Sequence, residues 1–275
     1  MRAPLISVII PTFNRRAELA ELLESLTRQS YRPFEVIIVN DCGEPVEPVA
    51  ELYPELDIKL VTLETNSKHV HARNRGLELA RGELIMLCDD DDLLLPGHME
   101  RMLAALGDKG LVYSDVEIVE YEWNEAKTIR LPRRRRLFAY ECDLAEMRRF
   151  STFVSSGCLY RRRLHGEIGL FDPEVYHYWD WDFFLRAAEC VPVGRVPVAG
   201  VLYAFSPGGS NNSNKFESMR GYLDKLSAKH GLGPLPTKNF FTLLEEEGVR
   251  KRQAESEIVW DGKPTISRWA RKMRV

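Results

Sequence analysis

A chain of 275 residues that is 44% apolar and 29% charged can bury a substantial core and is neither disordered nor fibrous. Its 38 Lys and Arg against 41 Asp and Glu leave a net charge of -3, so no basic field attracts a polyanion and nucleic acid is excluded as a partner. No apolar run approaches the roughly 20 residues that span a bilayer, and five scattered cysteines without a Cys-x-x-Cys pair exclude a disulfide framework and a zinc site and favour a reducing, cytoplasmic setting.

The chain passes from Met1 and Arg2 directly into a strand-like run, Leu5 to Ile10, which reads as a mature, unexported start. That strand ends at Pro11 and is followed by a loop, Thr12-Phe13-Asn14-Arg15. A helix follows in which Leu19, Leu22, Leu23 and Leu26 recur at spacings of three and four. Glu35 to Val39 is a second strand ending in Asn40-Asp41-Cys42-Gly43, and Ile58 to Leu63 a weaker third. Ala72 to Ala80 reads as a helix closed by Gly82, and Glu83 to Cys88 as a fourth strand. The acid run Asp89-Asp90-Asp91-Asp92 comes next, then Pro96 as the first residue of a helix through Leu106.

This alternation predicts an α/β fold with a mainly parallel sheet. Asn14, Asp41 and the acid run would then lie at the carboxyl edge of the strands, where such sheets bind ligands. Beyond Gly110 the rhythm changes. Leu111 to Ser114, Val116 to Tyr121, Ser155 to Tyr160 and Val196 to Phe205 are strands of a mixed extension, with a helix through Asp182 to Glu189. Ser206 to Lys215 reads as a mobile polar loop able to close over a ligand, and the tail as helical and loosely attached.

Four consecutive carboxylates repel one another, so they need a counter-charge or solvent. One reading is a hard divalent cation, Mg2+ or Mn2+, completed by phosphate oxygens and water; the other is a solvated cluster favoured by the next helix N-terminus. Neither Gly-x-x-x-x-Gly-Lys-Ser/Thr nor Gly-x-Gly-x-x-Gly is present, so a bound nucleotide would need metal and cationic side chains to neutralise its phosphates.

Five segments in this order, Ser7 to Arg15, Val36 to Asp41, Ala72 to Leu77, Arg81 to Pro96 and Gly169 to Asp172, together resemble a family 2 glycosyltransferase of the GT-A fold. The resemblance implies a GT-A domain over 1–205, with a nucleotide-binding half to about residue 115 and an acceptor half after it, leaving 206–275 as an extension. It also implies transfer of a sugar, with inversion, from a nucleotide diphosphate donor, most often a uridine one. The acceptor would be a hydroxyl of a glycan or lipid-linked glycan. By the same resemblance Pro11, Thr12, Phe13, Asn14, Asp41, Lys68 and Asp90 hold the nucleotide sugar, and Asp89 and Asp91 are the metal ligands of an Asp-x-Asp element.

The family's general base comes from a Glu-Asp pair ahead of a helix. Trp179-Asp180-Trp181-Asp182 aligns with it, which makes Asp180 the expected base and puts Trp179 where the family has Glu. Trp179 and Trp181 could then stack on a sugar; in the alternative they belong to the core, with Asp180 or Asp182 capping the helix. Two other readings are a nucleotide-sugar or glycan binder without turnover, and a nucleotidyltransferase.

Other signals carry less. His69 and His71 alternate as strand neighbours would but lack a third ligand, and His177 stands alone. Arg133 to Arg136 read as a solvated loop or a site for a phosphate-bearing acceptor or an anionic membrane. Ser267 to Val275 has the ingredients of a short interfacial helix, with Trp269 and Met273 among cations, and suggests weak peripheral membrane contact.

Overall fold

In the computed structural model, which describes residues 5–205, 216–238 and 240–273, every residue of strand β1 (Ile6–Thr12) is buried. A strand buried on both faces needs a layer on each side, because successive side chains point opposite ways. Ile6, Val8 and Ile10 face a core under helix α1 (Arg16–Thr27), built from its Leu19, Leu22, Leu23 and Leu26. Ile9 faces a second core, shared with Val70 and Leu77 of α3 (Lys68–Leu79). Helix and strand approach so closely there that a Cβ on Gly76 would lie 2.5 Å from Ile9 Cγ2.

The remaining elements of the first half are β2 (Phe34–Asn40), α2 (Glu47–Ala50), β3 (Ile58–Thr62), β4 (Leu84–Leu87), β5 (Leu93–Leu94) and α4 (His98–Leu106). The second half has β6 (Leu111–Trp123), β7 (Arg130–Phe138), α5 (Leu144–Met147), β8 (Leu159–Arg161), α6 (Leu164–Ile168), a 3-10 helix over Pro173–Tyr178, α7 (Trp179–Cys190) and β9 (Val193–Phe205). Then come α8 (Phe216–His230), α9 (Phe240–Glu245), α10 (Glu247–Arg250), β10 (Glu257–Ile258) and α11 (Arg268–Lys272).

The described strands form one sheet in the order β10-β9-β6-β8-β4-β1-β2-β3, with β5 on β9 and β7 on β6. β4, β1, β2 and β3 are parallel, while β8 runs antiparallel between β4 and β6. The expected α/β, mainly parallel architecture with a mixed second half is therefore present. Among the described residues no helix is long and apolar enough to cross a membrane.

Several boundaries differ from the sequence reading. β1 runs through Pro11 to Thr12, because β4 pairs only with Ile6–Ile9 and leaves the missing proline N–H undemanded on that side. His69 and His71 lie on helix α3, which starts at Lys68, so they are not strand neighbours. The helix after Pro96 begins at His98, behind Gly97 at φ 75°. Leu111 to Tyr121 is one strand whose register shifts on β9 at Asp115.

The arginine run is not a loop. It forms β7, where Arg133 pairs with Glu122, Arg135 with Glu117 and Arg136 with Glu245. The tail is docked rather than loose: β10 pairs with β9, and Arg268 pairs with Glu55 while its guanidinium covers the Tyr53 ring at 4.9 Å. Trp269 is half-buried against the core, while Met273 is exposed. The expected lid, Ser206 to Lys215, lies outside the described residues.

Candidate active site

The carboxyl ends of β1, β2 and β4 open into a cleft of about 510 Å³. Pro11, Thr12, Phe13, Asp41 and Lys68 line it together with Asp89, Asp90 and Asp91. Ser155, Tyr176, Trp179, Asp180 and Tyr203 also line it, with Tyr176 against His69 and Trp179 against Arg73 of α3. The chain reverses sharply at this edge: Cys42 and Lys68 adopt positive φ of 61° and 72°, the second opening α3 toward the cleft. Asp41 is buried and its Oδ1 accepts the Ser67 N–H at 2.7 Å. Burial moves its carboxyl above the usual range, against the Ser67 and Lys68 amides that favour its charge.

The four acids divide by their partners. Asp92 is buried, accepting from the Ser156 hydroxyl and, at 2.8 Å, from the Ala204 N–H, so it ties the acid loop to β9. Asp90 accepts the Thr12 hydroxyl at 2.7 Å and Arg15 at 3.1 Å, and burial pushes its carboxyl up. Asp89 pairs with Arg73 and Asp91 with Arg15, yet their side chains keep 34% and 18% exposure. Asp89 and Asp91 are thus the oxygen donors left open to the cleft, a set that suits a hard divalent ion taking one or two protein carboxylates and filling its other positions from water and ligand. Among the described residues no three His, Cys, Asp or Glu side chains converge as a complete cage.

Asp180 stands half-buried in the first turn of α7, its Oδ1 accepting the Trp181 N–H at 2.8 Å. Burial, reinforced by the charge of Asp89, raises its carboxyl to about 6. Asp182, two residues on, points the other way. It is fully buried among Arg186, Lys229 and His230 and held down at about 2 by their hydrogen bonds and charge.

Of the expected site residues, Pro11, Thr12, Phe13, Asp41, Lys68, Asp89, Asp90, Asp91, Trp179 and Asp180 line the cleft. Asn14 and Trp181 do not. Asn14, at φ 57°, accepts the Glu44 N–H at 2.7 Å and shapes the neighbouring loop. Trp181 is 6% exposed and donates its indole N–H to Met147 O at 2.6 Å, so it is a core residue and has no face for a sugar. Trp179 is 5% exposed and one face of its ring is covered by the Arg73 guanidinium at 4.1 Å, which corrects the sugar-stacking expectation.

Arg15 and Arg73, given no role from the sequence, line the cleft, as does His69, which the sequence offered only as half of an incomplete metal pair. Arg15 and Arg73 sit inside segments already singled out, and the demand for cations around a diphosphate was the signal available for them. Asn74 of the same segment clamps the backbone of Phe171 through both its amide atoms, at 2.8 and 3.1 Å, joining two of the five segments physically.

The family model of glycosyl transferase family 2 matches residues 7–169. The chain is 56% identical over 264 residues to the uncharacterized glycosyltransferase YwdF of Bacillus subtilis (strain 168), covering 96% of this chain and 98% of that protein. It is 32% identical over 196 residues to a PGL/p-HBAD biosynthesis glycosyltransferase of Mycobacterium bovis, covering 68% and 70%. Among solved structures it is similar to S. aureus TarS in complex with UDP-GlcNAc, at TM-score 0.62 and 20% identity over 84% of this chain and 68% of that one. It is also similar to mannosyltransferase PcManGT of Pyrobaculum calidifontis in complex with GDP-Man and Mn2+, at TM-score 0.61 and 18% identity over 86% and 67%. At those identities the structures speak for the fold. The chain belongs to glycosyl transferase family 2 and is a glycosyltransferase.

Proposed function

We propose that this glycosyltransferase moves a sugar, with inversion, from a nucleotide diphosphate sugar to an acceptor hydroxyl of a glycan or lipid-linked glycan. One observation carries the reading: Asp89, Asp90, Asp91, Arg15 and Arg73 line one cleft together with Asp180, whose carboxyl is raised. UDP, UDP-GlcNAc and GDP-Man in the similar structures support a nucleotide-linked donor, and a uridine one is favoured. We assign 1–205 as the catalytic unit and 206–275 as an extension. A reducing compartment agrees with five unpaired cysteines.

Pro11, Phe13 and Asp41 would take the nucleoside, with Asp41 accepting a base N–H, and Lys68 would close over it. Asp90, fixed by Thr12 and Arg15, would lie toward the ribose and diphosphate. Asp89 and Asp91 would hold Mn2+ or Mg2+, which as a Lewis acid favours charge on the leaving diphosphate. Arg15 and Arg73 add fixed positive charge beside these acids. Asp180 takes the acceptor hydroxyl proton while that oxygen attacks the anomeric carbon from the side opposite the diphosphate.

Incubation with UDP- and GDP-sugars, Mn2+ and candidate acceptors tests this. A transferase releases nucleoside diphosphate, a nucleotidyltransferase releases pyrophosphate, and a binder without turnover releases neither; either of the last two outcomes overturns the proposal.

A further inference from the structure

Arg73 is the most enclosed cation of the cleft, with a side chain only 4% exposed. Its Nη2 reaches Asp89, while Nη1 donates to His69 Nδ1 at 2.8 Å and to His69 O at 3.2 Å. A guanidinium has donors only, so Nδ1 of His69 accepts and its proton sits on Nε2. Burial first, and then the charge of Arg73, hold His69 well below its usual value, in keeping with a neutral ring. His69 is itself braced by Tyr176, at 4.3 Å between ring centroids. The remaining surface of the guanidinium is met by the Trp179 ring face at 4.1 Å, and Phe171 supports that ring edge-on at 4.9 Å.

Trp179 occupies the position where the family pattern has Glu. A carboxylate there would compete with Asp89 for Arg73 and add a negative charge next to Asp180. An indole face attracts the cation without cancelling its charge. We propose that Trp179 is a positioning residue: it holds Arg73 by a cation–π contact, so that the guanidinium stays aimed at Asp89 and at the donor side of the cleft with no second carboxylate against it. The inference rests on the donor reading above. It assigns this chain's departure from the family pattern to donor binding rather than to loss of activity.

The test compares Trp179→Phe, Trp179→Leu and Trp179→Glu in the full chain, each checked for cooperative thermal unfolding. Affinity for uridine diphosphate is measured by calorimetry in chelator, and donor KM and kcat with Mn2+. Phenylalanine keeps a ring face and should bind within about two-fold of the parent. Leucine should bind roughly ten-fold more weakly, a loss of the size a desolvated cation–π contact supplies, and should raise donor KM more than it lowers kcat. Glutamate should bind at least as weakly as leucine. Equal affinities in Phe and Leu, or a Glu variant as tight as the parent, would overturn the inference while leaving the donor reading intact. If the leucine variant does not fold, the Phe and Glu pair decides alone. A parent protein that binds neither UDP nor GDP overturns the donor reading itself, and this inference with it.

Discussion

Burying one carboxylate near another costs folding free energy, and at Asp180 that cost appears as basicity: burial and the charge of Asp89 raise it to about 6 from an ordinary 3.8. The deprotonated form accepts the acceptor proton, so kcat/KM should fall roughly tenfold per unit below about pH 6 and level off above about pH 7. The same shift is a stability statement. Because the folded-state value lies above the unfolded one, Asp180 costs nothing at pH below 3.8, and its cost grows as pH rises through about 6. Asp180→Asn should therefore raise stability at neutral pH by about 1 to 3 kcal/mol while cutting kcat at least a hundredfold and leaving UDP affinity within about two-fold. Calorimetric unfolding and turnover on the same preparation check both halves, and a variant that turns over normally would remove Asp180 from the chemistry.

At the scale of elements, what was legible was what buried apolar periodicity encodes. β1, β2 and β4 are near-continuous β-branched and leucine runs because both faces are covered, and α1 announces itself through Leu19, Leu22, Leu23 and Leu26. The acid run could be placed because a strand precedes it and a helix follows. β7 could not, since its middle is a run of exposed arginines without apolar alternation, held by backbone pairing with β6 and flanked by glutamates. Nor could the roles of Trp179 and Trp181 be separated, because helix α7 begins at Trp179 and turns adjacent aromatics in different directions.

The same helix orients Asp182 away from the cleft, onto α8, through Lys229 at 2.7 Å and His230 at 2.8 Å. Its depressed value, about 2 against 3.8, means that its contribution is present above the ordinary carboxylate range and is lost as pH falls through about 2. Asp182→Ala strands Lys229 and Arg186 without their buried partner and should destabilise by about 3 kcal/mol. Hydrogen exchange should quicken in α8, whose Met219 lines the cleft; unchanged protection there would show that α8 is held by other contacts. Gly76→Ala acts on the same face of the sheet, where α3, α7 and α8 share one core. Its Cβ would meet Ile9 Cγ2 at 2.5 Å, forcing α3 off β1. We expect a loss of about 1 to 3 kcal/mol together with weaker UDP binding, because Lys68, His69 and Arg73 all ride on that helix.

The whole molecule separates where it reacts from where it is fastened. The cleft lies at the carboxyl edge of the sheet, whereas α11 closes the outer side of α1. Ser267 caps α11 by accepting the Ala270 N–H at 3.1 Å, Ala270 is fully buried, and Arg268 spans Glu55, the Leu52 carbonyl and the Tyr53 ring. None of Ser267 to Lys272 lines the cleft. Ending the chain after Ile266 would uncover Tyr53 and leave buried Glu24 without its long-range partners Arg268 and Arg271. The transfer of that apolar surface to water and the loss of the ion pairs on buried Glu24 together predict a loss of about 2 to 4 kcal/mol. Donor affinity at a temperature where both forms are folded should change by less than about two-fold, because no removed side chain reaches the site. Sedimentation with anionic vesicles at low salt should also be the same for the two forms, since Trp269 packs against the core. Vesicle binding that disappears with the truncation would instead return the C-terminal helix to an interfacial role.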